Sequence, residues 1–295
     1  MRIHETFAFW KNQTHSRKVP FIIAGAAVLI TIGAITSLMG RNALVESAGA
    51  GELEASEPSP SVWETPAPQQ KTLVVADKNL EAALRRMLNQ PLGALYEEDL
   101  SALTRQINLS SSQIHDIAPL TALTQTNELF LAGNQIQDIA PLASLLNIQK
   151  LYLFDNQIQD ITPLGELVNT TALNLDRNEI TNVSALASLT QLIHLNLTGN
   201  QITNVAPLAS LTNLKLLSLS DNYITDAAPL SALTELRQLY LSNNRIRDIE
   251  PLKSLTNLIS LTLDGNHLTQ DQIDELGEAL PVCDILWVSP VTEAP

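Results

Sequence analysis

From residue 107 to residue 268 the apolar positions return every 22 residues. Eight aliphatic pairs mark the period: Ile107/Leu109, Leu129/Leu131, Leu151/Leu153, Leu173/Leu175, Leu195/Leu197, Leu217/Leu219, Leu239/Leu241 and Leu261/Leu263. Three residues after each pair comes a polar residue: Ser112 first, then Asn134, Asn156, Asn178, Asn200, Asn222, Asn244 and Asn266. Two residues further on stands another aliphatic, from Ile114 to Leu268, and no insertion breaks the register. Alternation within each pair predicts a short strand with leucines on one face and the intervening residues on the other. Repetition at fixed spacing predicts stacked coils, their strands joined in one parallel sheet over a linear core.

The polar columns read as scaffold. A carboxamide offers both donors and an acceptor, so asparagines placed where the chain turns inward are predicted to satisfy backbone groups of successive coils. Ser112 departs from the column because it begins the stack. Pro119, Pro141, Pro163, Pro207, Pro229 and Pro251 fix φ on the return path and predict short 3₁₀ or irregular backs, with Ala185 interrupting that column. Asp116, Asp138, Asp160, Asp226 and Asp248, with Asn182 and Asn204, precede the return turn and predict local side-chain to backbone bonds.

A stack of this kind needs caps, or its end leucines meet water. Residues 71–102 supply a helical one: Asp77 as N-cap, then Leu80, Ala83, Leu84, Met87 and Leu88 on one face, with Pro91 and Gly93 as the stop. Residues 269–295 supply the other. Thr269 and Gln272 form a capping box, Ile273, Leu276 and Leu280 a buried stripe, Pro281 the end, and residues 283–288 a last strand. Cys283 is the one cysteine, so it has no intrachain disulfide partner and reads as a packing residue.

The unit L-x-L-x-x-N-x-I-x-D-I-x-P-L-x-x-L, repeated eight times over residues 103–268, resembles the 22-residue leucine-rich repeats of bacterial internalins. A eukaryotic regulator of protein phosphatase 1 has repeats of the same class. The likeness runs from about residue 71 to residue 288. It implies an α/β solenoid: a horseshoe with a parallel sheet on its concave face, a helical N-terminal cap and a helix-strand C-terminal cap. It also implies a rigid platform for a protein partner. Internalins often carry wall-sorting or wall-binding segments after the repeats. None follows here up to Pro295, so adhesion to a host is not expected.

Charge places the repeats. Val19 to Gly40 is uncharged and long enough to cross a bilayer, with Arg2, Lys11, Arg17 and Lys18 before it and Glu46, Glu52, Glu54 and Glu57 after it. Residues 1–18 are therefore expected in the cytoplasm, 19–40 as a transmembrane signal anchor, and everything later outside, periplasmic or at the cell surface. A cleaved signal peptide ending near Ala48-Gly49-Ala50 is the rival reading, and it exports the repeats equally. Export conflicts with a phosphatase-regulator role. Residues 41–70, rich in Pro, Glu and Ser, read as a disordered tether. The whole chain of 295 residues carries −14, and the part from residue 42 carries 12 Lys and Arg against 30 Asp and Glu. Nucleic acid and anionic lipid are poor partners for such a surface.

No phosphate-binding loop, zinc spacing or nucleophile elbow occurs. His115, His194 and His267 occupy three different repeat positions. Asp155 and Asp176 fall on neighbouring coils, where paired carboxylates can hold calcium or act as acid and base. In so acidic a chain, chance placement explains them better. No catalysis, cofactor or metal is expected.

Departures from the repeat mark the candidate site. Positions six, four and two before the asparagine point away from the leucines, onto the concave face. Phe130, Tyr152, Phe154 and Tyr240 lie there, although the aliphatic core requires no aromatics. Asn174, Asp176, His194, Asn196 and Ser218 run beside them as a polar stretch. Exposed aromatics with hydrogen-bonding neighbours suit a protein partner or a glycan. The expected function is recognition of a protein through this face. A glycan- or wall-binding sensor, a structural envelope protein, a released effector and a relative of the cytosolic phosphatase regulator are the alternatives.

Overall fold

A computed structural model describes residues 70–288. The segments 1–18 and 19–40, nearly all of the tether, and the tail after Val288 lie outside the described residues. No helix among the described residues is long and apolar enough to cross a membrane.

Helix α1 (Lys78–Leu88) and the short α2 (Glu97–Ser101) precede the sheet. The strands are β1 (Arg105–Asn108), β2 (Thr126–Phe130), β3 (Lys150–Tyr152), β4 (Ala172–Asn174) and β5 (His194–Asn196), then β6 (Leu216–Ser218), β7 (Gln238–Tyr240), β8 (Ser260–Thr262) and β9 (Asp284–Leu286). All nine described strands pair in parallel and in chain order. Eight belong to the repeats, and the ninth follows helix α3 (Gln270–Ala279) of the C-terminal cap. Leu129, Leu151, Leu173, Leu195, Leu217, Leu239 and Leu261 stand directly beside one another across the sheet. The register is therefore the sequence period itself. Both leucine columns are buried, and with the aliphatics of the return path they form one continuous core.

Seven 3₁₀ helices, from Ala118–Ala122 to Glu250–Ser254, return the chain between strands. The stretch Ser184–Ser188 adopts the same form without its proline. The local bond before each turn explains why: the Asn182 Oδ1 accepts from the Ser184 N–H at 2.9 Å, as the Asp138 Oδ1 does from Ala140 at 2.8 Å. The side chain before the turn directs the fold-back, and proline reinforces it.

The N-terminal cap is held by one carboxylate. Asp77, 1% exposed, accepts from the Asn79 and Leu80 N–H groups through Oδ1 and from His115 and Asp116 through Oδ2. It caps α1 and stitches that helix to the first coil. Burial pushes its carboxyl up, but the four backbone donors outweigh this and hold it below the ordinary carboxylate value. Helix α1 ends earlier than Pro91 and Gly93 would place it. Asn89 adopts φ 52° and its N–H bonds the Arg85 and Arg86 carbonyls. The Thr269/Gln272 capping box forms at α3.

Candidate functional site on the outward face of the sheet

The asparagine ladder delivers the strands to the outward face. Each amide spans two coils: Asn178 donates to the Leu153 and Leu175 carbonyls at 3.0 Å, and its Oδ1 accepts from the Ile158 N–H at 3.1 Å. Immediately before it, Ser111, Gly133, Asp155, Arg177, Gly199, Asp221, Asn243 and Gly265 all have positive φ, between 50° and 67°. Every coil thus leaves its strand through a left-handed residue. Arginine is the unusual member of that column, since a long side chain there has no local bond to offset the strain.

Two further ladders escaped sequence reasoning. Asn147, Asn169, Asn213 and Asn257 donate to the carbonyls of Thr124, Leu146, Thr190 and Thr234 on the preceding coil, at 2.8–3.0 Å. Ser188 and Ser210 do the same to Gly165 and Ala187. The recurring Asn and Ser on the return path were the signal.

On the outward face, Phe130 and Tyr152 are direct cross-strand neighbours, and their rings stack with centroids 4.4 Å apart and planes 14° apart. Tyr152 is 6% exposed, whereas Phe130 and Phe154 are half-buried. Burial, then the negative charge of Glu128, raises the Tyr152 phenol above its ordinary pKa. The Lys150 ammonium meets the Glu128 carboxylate at 2.6 Å beside the stack. His194 is half-buried; burial and the charges of Lys215 and Lys150 lower its pKa, which favours the neutral imidazole. Tyr240 is half-buried, raised by burial and opposed by a hydrogen bond with the Ser260 side chain.

The polar stretch differs from the expected picture of exposed donors. Asn174 and Asn196 are buried, and their Oδ1 atoms accept from the Asp176 and Thr198 N–H groups at 3.0 Å. Their oxygens serve their own backbone at the strand exit, leaving only amide N–H groups to offer elsewhere. The Ser218 hydroxyl lies 2.6 Å from that of Thr198. Expected exposure is thus corrected for Tyr152, Asn174, Asp176 and Asn196, which are all buried. Strands about 4.8 Å apart bring outward side chains into contact with those of the next coil, so rings and amides cover one another. Tyr223 is the aromatic that is 43% exposed, but it sits on the turn after Asn222, with the Arg245 guanidinium 4.5 Å from its ring centroid.

Asp155 and Asp176 do approach, and Arg177 stands with them. Its Nε and Nη2 both donate to the Asp155 carboxylate, the latter at 2.9 Å, while Nη1 lies 3.3 Å from the Asp176 Oδ2. The charge between the two carboxylates is therefore a guanidinium. Among the described residues no three His, Cys, Asp or Glu side chains converge as a metal site. Asp176 is 3% exposed, and its Oδ1 has no hydrogen-bond partner. Burial raises its pKa to about 6 against the attraction of Arg177, and Asp155 and Asp221 add to the rise.

Residues 127–166, 190–232, 212–254 and 234–278 match the family model for leucine-rich repeats in two copies. Among solved structures, internalin C2 of Listeria monocytogenes is 31% identical, with 75% of this chain and 98% of that one covered, at a TM-score of 0.69. The internalin InlF of the same organism is 26% identical over 76% of this chain and 79% of that one, at 0.57. A leucine-rich repeat protein of Leptospira interrogans is 28% identical over 63% of this chain and 49% of its own, at 0.60. No curated protein sequence matches the chain.

Proposed function

Because this chain belongs to the internalin-type family of leucine-rich repeat proteins, we propose that it is an exported recognition module that binds a protein partner on the outward face of its sheet. The observation that carries the reading is the Phe130–Tyr152 stack with Phe154 beside it. The leucine core is complete without these rings, and aromatic clusters on a rigid face are frequent anchors of protein interfaces. The nine-stranded platform supports this role, since pre-organised side chains lose little freedom on binding. In this proposal residues 19–40 anchor the chain in a membrane and the acidic repeats work outside the cytoplasm.

The test is a pull-down from the native envelope with the full chain and two variants. Replacing Phe130 and Phe154 by serine removes half-buried rings at a modest cost in melting temperature and abolishes capture, because anchor truncations cost about 2 kcal/mol or more in binding. Replacing the exposed Gln137, Gln159 and Thr181 by alanine leaves capture intact. Unchanged capture by the aromatic variant excludes this face. A reporter fused after Pro295 that is active in the cytoplasm excludes the export.

A further inference from the structure

Among the described residues, the outward face holds two acids with an unpartnered carboxylate oxygen, Asp176 and Asp264, and of these Asp176 is the buried residue. Asp176 lies two residues before the ladder asparagine of its coil, is 3% exposed, and keeps its Oδ1 without a donor. Buried acceptors are rarely left so, because the missing bond costs more than a satisfied one returns. Asn174 accepts from the backbone N–H of Asp176 itself and brings no donor to that oxygen. The Arg177 guanidinium brings Nη1 to within 3.3 Å of Oδ2, while its Nε and Nη2 are held by Asp155. The local balance is one guanidinium against the carboxylates of Asp155, Asp176 and Asp221. Lys150 is paired with Glu128. The Arg177 side chain is 43% exposed, which leaves it room to move aside. Phe154 occupies the equivalent position on the preceding coil and is half-buried, and an aromatic ring is a favourable neighbour for a cation.

We propose that Asp176 is the charge pocket of the recognition surface and takes a lysine or arginine side chain of the partner polypeptide, with Phe154 flanking it. This rests on the reading of the outward face as a protein-binding surface. An incoming ammonium or guanidinium supplies the donor that Oδ1 lacks and reduces the local excess of negative charge. A neutral or acidic partner segment leaves the buried Oδ1 without a donor and is disfavoured.

The experiment is selection of a random dodecapeptide phage library on the full chain, followed by titration of synthetic copies of the selected peptides. The expected pool is dominated by peptides with a lysine or arginine whose replacement by norleucine or citrulline weakens binding at least tenfold. Asp176→Asn weakens the basic peptides at least tenfold as well, while the neutral analogues bind it and the wild type alike. Thermal melts confirm that the Asn variant is folded. Peptides that depend on Phe130 and Phe154 but bind Asp176→Asn as tightly as wild type overturn the charge pocket and leave the recognition reading standing. Peptides indifferent to Asp176 and to the aromatics, or a library that yields no binder, overturn both.

Discussion

Replacing Asn178 by alanine tests the ladder at its centre. Asn178 makes four buried bonds to four residues on two coils, the longest to the Asp176 carbonyl at 3.3 Å, and they are not of equal weight. The Leu153 carbonyl also accepts from Asn156, the Leu175 carbonyl from Asn200, and the Asp176 carbonyl from the Asp155 N–H. Each keeps one donor after the substitution. The Ile158 N–H loses its acceptor outright, at a buried position. An orphaned buried donor costs about 1–3 kcal/mol, and three weakened carbonyls add a fraction each, so the loss is about 3 kcal/mol. Asn178→Asp sharpens the argument: it keeps an acceptor for Ile158 but loses both donors and places a charge at a buried site. It should cost at least as much at neutral pH. Ser112→Ala removes a single local bond, Oγ to the Ser110 carbonyl at 3.1 Å, and should cost under about 1 kcal/mol. Urea unfolding followed by circular dichroism reads all three. Coils contact mainly their neighbours, so a broken central rung is also expected to lower the slope of the transition. A loss at Asn178 no greater than at Ser112 refutes the bridging role.

Two further outcomes follow from carboxylates displaced in opposite directions. Asp176 has a folded pKa of about 6 against an ordinary 3.8, so its contribution to stability is complete below about pH 4 and is lost as pH rises through 6. Asp176→Asn removes that penalty and should raise stability at pH 7.5 by up to about 3 kcal/mol, with no gain at pH 4; a variant less stable than wild type at pH 7.5 contradicts the burial argument. Asp77 is held below 3.8, so its contribution is complete above the ordinary carboxylate range and is lost as pH falls through its folded value. Asp77→Ala should cost about 2 kcal/mol or more at pH 7 and speed amide exchange in α1. Exchange in α1 equal to wild type means the helix is docked without it.

The candidate site was legible in unequal parts. Phe130, Tyr152 and Phe154 were readable as outward-facing aromatics because strand alternation decides the face of every side chain. Their burial was not readable, since it depends on which ring lies across from which: Phe130 is half covered because Tyr152 is its cross-strand neighbour. Asn174 and Asn196 read as free hydrogen-bonding groups, but the strand exit turns their oxygens onto their own backbone. Arg177 carried no sequence signal beyond its place in a column otherwise made of Gly, Asp, Asn and Ser.

What the sequence determined by itself is everything that follows from a period. The 22-residue spacing dictates the parallel register, the leucine core, the ladder and the order of the strands, because each coil meets only copies of itself. What only the tertiary structure decided is the relation between coils at positions where the repeat varies. Asp77 reaches the first coil from 38 residues away, and Asp155 meets Arg177 from 22. The energies of such charges depend on burial and on donors brought by other coils, which chain spacing alone does not specify. That is why the scaffold could be written down from the pattern, whereas the buried, half-satisfied carboxylate of Asp176 could not.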